Sequence, residues 1–108
     1  MLTMINNHLK GYVYDDGYLR TSCRIFETSN FNNPLIHLTN DAVQKKSDEY
    51  GRFESGNKLS FGEYQSYLDE QHLDLNIDFR KHIFSQIRQI MTDTFRATHT
   101  VIAPTRVL

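Results

Sequence analysis

The stretch Gly11-Tyr-Val-Tyr-Asp-Asp-Gly-Tyr-Leu-Arg-Thr-Ser22 decides how the chain is expected to fold. Asp15, Asp16 and Gly17 separate two runs rich in aromatic and aliphatic residues, so the stretch reads as a β-hairpin. A two-residue loop at Asp16 and Gly17 would pair Tyr14 with Leu19 and leave Val13 opposite Arg20. A three-residue loop, a type I turn followed by a left-handed Gly17, pairs Val13 with Leu19 instead. The second register gathers the aliphatic residues on one face and Tyr12, Tyr14, Tyr18 and Arg20 on the other. Face segregation favours it. The expectation is therefore a positive φ at Gly17, with Val13 on the same side as Leu19.

Upstream, Leu2 to Ile5 is a short apolar run that reads as the end of a strand. Downstream, Glu27 to Pro34 is polar and turn-rich, hence a loop. Leu35-Ile-His-Leu38 follows as a short buried run, and Thr39-Asn40-Asp41 can cap a helical turn. Lys45 to Asn57 is irregular and charged, with Gly51 and Gly56 as turn points. Ser60-Phe-Gly-Glu63 is a capping box with Leu59 and Tyr64 at the staple positions, so a helix should run to about Gln71. It carries Tyr64, Tyr67 and Leu68 on one face. A second helix should start near Asp78, with Phe79, Ile83, Ile87, Ile90, Met91 and Thr94 at helical spacing. It is expected to last about five turns, to bury that stripe against the sheet, and to stop before Pro104. The fold class is α+β: a short antiparallel sheet with a β-hairpin, then two amphipathic helices, in 1–108 without separate domains.

Composition narrows the function. A 39% apolar and 12% aromatic chain of 108 residues can build a core, which argues against a disordered tail. Twelve basic and 13 acidic residues are well mixed, so nucleic-acid binding has no electrostatic footprint. A membrane-surface role lacks its basic amphipathic stripe, and no apolar run approaches about 20 residues. The one cysteine, Cys23, fits a reducing cytosol and reads as a structural thiol. Five scattered histidines show no metal-ligand spacing, so no metal site is expected from these residues.

From spacing alone no segment forces a reaction type, but two polar groups stand out beside apolar runs: Arg20-Thr21-Ser22 and His37-Leu38-Thr39-Asn40. Each has a plain alternative, with Arg20 a surface strand arginine, His37 a satisfied core histidine and Asn40 a helix cap. Gly17-Tyr-Leu-Arg-Thr-Ser22, Ile36-His-Leu-Thr-Asn40, Val43-Gln-Lys45 and Tyr50-Gly51, in this order and spacing, resemble successive blocks of the tubulin–tyrosine ligase-like family. Leu2 to Asn6 is similar to the strand after the family's Asp-x-Arg motif. The helix from Asp78 is similar to the one before its Phe-Glu-x-x-Gly-x-Asp block.

The resemblance implies an internal piece of an ATP-grasp catalytic domain, in which ATP phosphorylates a carboxylate and an amine then attacks the acyl phosphate. It implies ATP and Mg²⁺ as cofactors, and a free amino acid (glutamate, glycine or tyrosine) and tubulin as partners. The work would be done in the cytoplasm, at the microtubule cytoskeleton or cilium. Carried across residue by residue, His37, Leu38, Thr39 and Asn40 match the nucleotide-pocket segment. Arg20 matches a catalytic arginine facing the reacting carboxylate and phosphate, a task suited to a permanently charged fork. The family's magnesium ligands would fall beyond Leu108, and its adenine-side lysines before Met1. These residues alone are therefore expected to be inactive. The alternative is a non-catalytic tubulin-binding or structural module that keeps the fold.

Overall fold

A computed structural model describes the backbone at residues 2–5 and 8–102 and the side chains from 10 to 101. Asn6 and the stop expected at Pro104 lie outside the described residues. The elements fall into two compact units, one of Asp16–Asp74 and one of the chain up to Asp15 together with that from Leu75 onward. The fold class is α+β with short antiparallel sheets.

The expected hairpin is not formed. Strand β1 (Leu2–Ile5) pairs with β2 (His8–Gly11), from Leu2 opposite Gly11 to Ile5 opposite His8. Strand β3 (Tyr18–Arg20) pairs with the distant β4 (Lys58–Ser60), with Leu19 opposite Leu59. Val13 thus lies outside the Leu19 ladder. The turn signal misled because its residues serve other ends. The backbone carbonyl and carboxylate of Asp15 accept from Arg80 at 2.6 and 2.7 Å, and Asp16 accepts from the Gly17 amide at 2.8 Å. Gly17 is not left-handed; it is small because a Cβ there would come within 3.0 Å of the Phe61 ring. The predicted turn points Gly51 and Gly56 do take positive φ, at 75° and 61°.

In the Asp16–Asp74 unit, α1 (Pro34–His37) and α2 (Asp41–Gln44) are single turns and α3 spans Phe61–Gln71. The capping box that starts α3 is present in full. The Ser60 hydroxyl accepts from the Glu63 amide at 3.2 Å, and the Glu63 carboxylate accepts from the Ser60 amide at 2.7 Å. Both bonds satisfy first-turn or cap donors that a helix leaves open. Leu68 is buried, but Tyr67 stays exposed. Cys23, Ile36 and Leu68 form the apolar part of the core, beside buried Gln44, Ser47 and Asn57.

In the other unit, Asp78 caps the helical stretch as expected, its carboxylate accepting from the Lys81 amide at 3.0 Å. The stretch opens as a π-helical segment, Phe79–Phe84, and continues as α4 (Ser85–Ile102). The wider turn corrects the predicted stripe. Phe79 is 3% exposed and Phe84 9%, with ring centroids 6.5 Å apart, whereas Ile87 and Ile90 are exposed, the latter to 65%. A π-turn advances five residues where an α-turn advances four, so residue 84, not 83, follows 79 on the inner face. Later positions shift with it. Gly11, Tyr12, Phe84, Arg88, Met91 and Phe95 are among the residues lining a cavity of about 470 Å³ within this unit.

None of the described helices is long and apolar enough to cross a membrane. The phase shift sets the expected mutational pattern. Phe84→Ala should destabilise this unit by about 3 kcal/mol or more, and Ile90→Ala by less than about 0.5 kcal/mol. Thermal melts of the two variants followed by circular dichroism check the order, and equal losses would contradict the shift.

Candidate active site

Side chains alternate across a strand, and directly paired residues of an antiparallel ladder share a face. Leu19 and Leu59 therefore lie on one side of β3–β4, and Tyr18, Arg20, Lys58 and Ser60 on the other. Arg20 and Lys58 are direct partners, a like-charge pairing that is unfavourable by itself. Both cations lie over the Tyr18 ring, each 5.7 Å from its centroid. Arg20 Nη2 donates to the Tyr18 hydroxyl at 3.3 Å. That hydrogen bond, and then the charge itself, raises the Arg20 pKa and lowers that of Tyr18.

A carboxylate from α2 answers the second cation. Asp41 Oδ2 lies 3.1 Å from Lys58 Nζ and 3.5 Å from Lys45 Nζ, while Oδ1 accepts from the Tyr50 hydroxyl at 3.1 Å. The Lys58 hydrogen bond is the main cause that holds the Asp41 carboxyl below its ordinary 3.8, and Asp41 in turn lifts Lys58 above 10.5. Asp41 also acts on the charge of Arg20.

The segment that carries Asp41 is fixed by one amide. Pro34 opens α1 behind Asn33, whose side chain accepts from the Leu35 amide at 3.0 Å. After α1 the chain runs extended at Leu38, then turns again at Asn40. Gln44, which is fully buried, closes this excursion. Its Nε2 donates to the carbonyls of Leu35 at 3.1 Å and Leu38 at 2.6 Å, and its Oε1 accepts from the Cys23 amide at 2.8 Å. Asn57 completes the node: its Oδ1 accepts from Gly51 at 2.7 Å, and its Nδ2 donates to Thr21 O and Cys23 Sγ.

Arg20 and the Asn40–Asp41 step therefore border one polar patch. Asn40 sits at the N-cap of α2, but its side chain makes no capping hydrogen bond. Thr39 and Leu38 are exposed. His37 turns elsewhere: its Nε2 lies 2.7 Å from the Asn30 carbonyl, and its ring stacks on Phe31 and meets the edge of Phe26. A cavity of about 830 Å³ in this unit is lined by Ser22, Cys23, Arg24, Asn30, Ile36 and Phe53 among others, and by neither Arg20 nor residues 37–40. Lys58, Asp41 and Gln44 escaped the sequence reading as site residues. The alternation Lys58-Leu-Ser60 before the capping box was the available signal for β4.

Magnesium finds no match here. Among the described residues no group of three or more His, Cys, Asp or Glu side chains gathers to hold a metal ion. Asp41, the carboxylate of the patch, is engaged by two ammonium groups.

The family model described as "Tubulin-tyrosine ligase family" matches residues 1–108. The chain belongs to the tubulin-tyrosine ligase family. It is 28% identical over 102 residues to the mouse (Mus musculus) protein named "Probable tubulin polyglutamylase TTLL9", covering 94% of this chain and 21% of that protein. The rat (Rattus norvegicus) protein of the same name gives the same figures. The cattle (Bos taurus) protein is 33% identical over 72 residues, 67% of this chain and 15% of its own length. The chain thus spans about a fifth of the length of the first of these relatives.

Two outcomes follow from this geometry in a tubulin-tyrosine ligase chain. Gln44→Ala strands the Cys23 amide and the Leu38 carbonyl and leaves the Leu35 carbonyl only its bond from the Ser22 hydroxyl, and an unsatisfied buried group costs about 1–3 kcal/mol. The variant should lose at least about 2 kcal/mol in denaturant unfolding, where exposed Gln71→Ala loses less than about 0.5 kcal/mol. Because the folded-state pKa of Asp41 is lowered, its stabilisation is complete above the ordinary 3.8 and fades as pH falls through the lowered value. The stability gap between wild type and Asp41→Asn, followed by acid titration, should close only below that ordinary value. A gap independent of pH would contradict the assignment.

Proposed function

We propose that this chain contributes the Arg20 and Asn40 side of an ATP-dependent ligase site that adds an amino acid to tubulin tails. Family membership supports the ligase class, and the relatives' name, tubulin polyglutamylase, supports tubulin as the protein substrate. An ATP-grasp fold and work at microtubules, in the cytoplasm or a cilium, belong to the same reading.

The reaction has two steps. A carboxylate oxygen attacks the γ-phosphorus of ATP and ADP leaves, giving an acyl phosphate. The nitrogen of the second substrate then attacks the acyl carbon, phosphate leaves, and the nitrogen loses a proton to form the amide. Both steps build negative charge on oxygen, which preorganised donors stabilise best. Arg20 can present its fork to a carboxylate or phosphate because among the described residues its hydrogen bond goes to a phenol, not to an acid. The observation that carries the reading is Asn40. An asparagine at an N-cap ordinarily caps with its side chain, yet here the carboxamide does not and is left for a ligand beside the cationic patch. Thr39 adjoins it as a neutral donor and acceptor, while the Leu38 amide and carbonyl are taken by Pro34 and Gln44 and His37 faces the Asn30 carbonyl, so the last two support the segment from behind.

Asn40→Ala and Arg20→Ala, made in the whole protein, should each cut turnover on the order of 100-fold while leaving the circular dichroism spectrum and melting point in place. The assay supplies MgATP, tubulin and labelled glutamate, glycine or tyrosine, and follows label on tubulin. Full activity in both variants would overturn these roles. Tubulin binding without label incorporation by the wild type would establish the non-catalytic module instead.

A further inference from the structure

We propose that the cavity between residues 11–15 and α4 is a binding site for a small aromatic carboxylate. The inference does not rest on the ligase reading, because neither Arg20 nor any of residues 37–40 lines this cavity. Its volume of about 470 Å³ is that of a small-molecule pocket. The helical wall follows from spacing. Phe84, Arg88, Met91, Thr92, Phe95 and Arg96 recur at the three- and four-residue steps that keep helical side chains on one face. They form two ridges. Phe84 is buried, and Met91 and Phe95 are half-buried, which makes the inner ridge apolar. Arg88, Thr92 and Arg96 follow one another at successive turns and are exposed, which makes the outer ridge polar. Tyr12 and Val13 line the cavity from the other segment. Three aromatic rings and a thioether suit a flat apolar body, which they meet by stacking, edge and sulfur contacts.

Charge decides the head group. Among the described residues the Arg88 guanidinium meets no carboxylate and no other hydrogen-bond partner. Arg96, two turns further on, is loosely held. Its Nη1 lies 4.0 Å from Asp93 Oδ1, and both oxygens of that carboxylate accept from Gln89 at 3.0 Å. Asp15, the acid among the lining residues, is already answered: its carboxylate and carbonyl accept from Arg80 at 2.7 and 2.6 Å. Thr92 donates its hydroxyl hydrogen to the Arg88 carbonyl at 2.9 Å, so it has no donor left for an anion. The Lys10 ammonium, 5.2 Å from the centroid of the Tyr12 ring, adds to the positive field. An anionic head therefore belongs at Arg88, whose planar fork matches a carboxylate. A neutral or cationic aromatic would fill the apolar part and leave Arg88 unanswered. Because Arg88 is exposed, water screens the pair, and its contribution to affinity is about fivefold rather than absolute.

The test titrates the whole protein with 2-naphthoate by isothermal titration calorimetry. 2-Naphthylmethanol, of similar shape and uncharged, should bind about fivefold more weakly. Arg88→Ala should weaken naphthoate binding by about that factor and leave the alcohol's affinity in place, and Arg88→Lys should recover part of the loss. Met91→Trp, which fills the cavity, should abolish binding of both compounds. Ile90→Ser alters an exposed apolar residue outside the lining and should change neither affinity. Saturating MgATP should not displace naphthoate. Equal affinity of the wild type for acid and alcohol would overturn the proposal, and that comparison needs no variant to fold. Naphthoate binding that survives Met91→Trp, or that MgATP displaces, would place the ligand elsewhere and overturn it too. So would binding of neither compound by the wild type. An inactive ligase that still binds naphthoate with the Arg88 dependence would leave this site standing.

Discussion

The side-chain amide of Gln44 is the constraint on which the Asp16–Asp74 unit depends. A primary amide offers two donor hydrogens and an acceptor oxygen, and here these meet two carbonyls and one amide of the main chain. The groups it satisfies belong to two stretches apart in sequence: the strand exit at Cys23, and the turn at Leu35 with the extended residue Leu38 that follows it. Residues 38–40 have no regular secondary structure, so the Leu38 carbonyl has no ladder or helix to bond within, and Gln44 is its partner. An apolar residue of equal volume would fill the space and leave the Cys23 amide and the Leu38 carbonyl unpaired, while the Leu35 carbonyl would keep only the Ser22 hydroxyl.

From that anchor the chemistry of the patch follows. With 35–44 fixed, Asp41 is delivered to the polar face of β3–β4, where it meets Lys58 and Lys45. Asn40 arrives with its side chain free of the cap. The ladder then supplies what a stable structure would avoid, an arginine directly opposite a lysine. Local conflict of this kind, tolerated because the surrounding structure fixes it, is expected where a ligand is to be bound. The Tyr18 ring and one carboxylate moderate the repulsion without removing it, and the remaining positive charge is an invitation to anions.

Much of this was legible from the residues. The capping box at Ser60 and Glu63, the start of the last helical stretch at Asp78, the turns at Gly51 and Gly56, and the family itself were all readable, because each rests on neighbours a few positions apart or on short blocks in fixed order. The alternation of Tyr18, Leu19 and Arg20 also placed the arginine on the polar face, opposite the leucine. Strand periodicity dictates that whichever strand is the partner.

What tertiary structure alone decided was which segments meet. A strand of three residues has no local information about its partner, so Tyr18–Arg20 left the nearby tyrosines and paired with Lys58–Ser60, where Leu19 faces Leu59 and the Thr21 amide continues onto Asn57 at 2.9 Å. The inner face of the last helix was likewise set by a π-turn, which moves the buried position from Ile83 to Phe84 and leaves no mark in a pattern of four-residue steps. Gln44 and Lys58 read in sequence as ordinary polar residues. The amino acids fixed the caps, the faces and the reactive groups, because those are local. The partners of each group, and so the charge pattern of the site, came from long-range packing that minimises unpaired buried polar atoms.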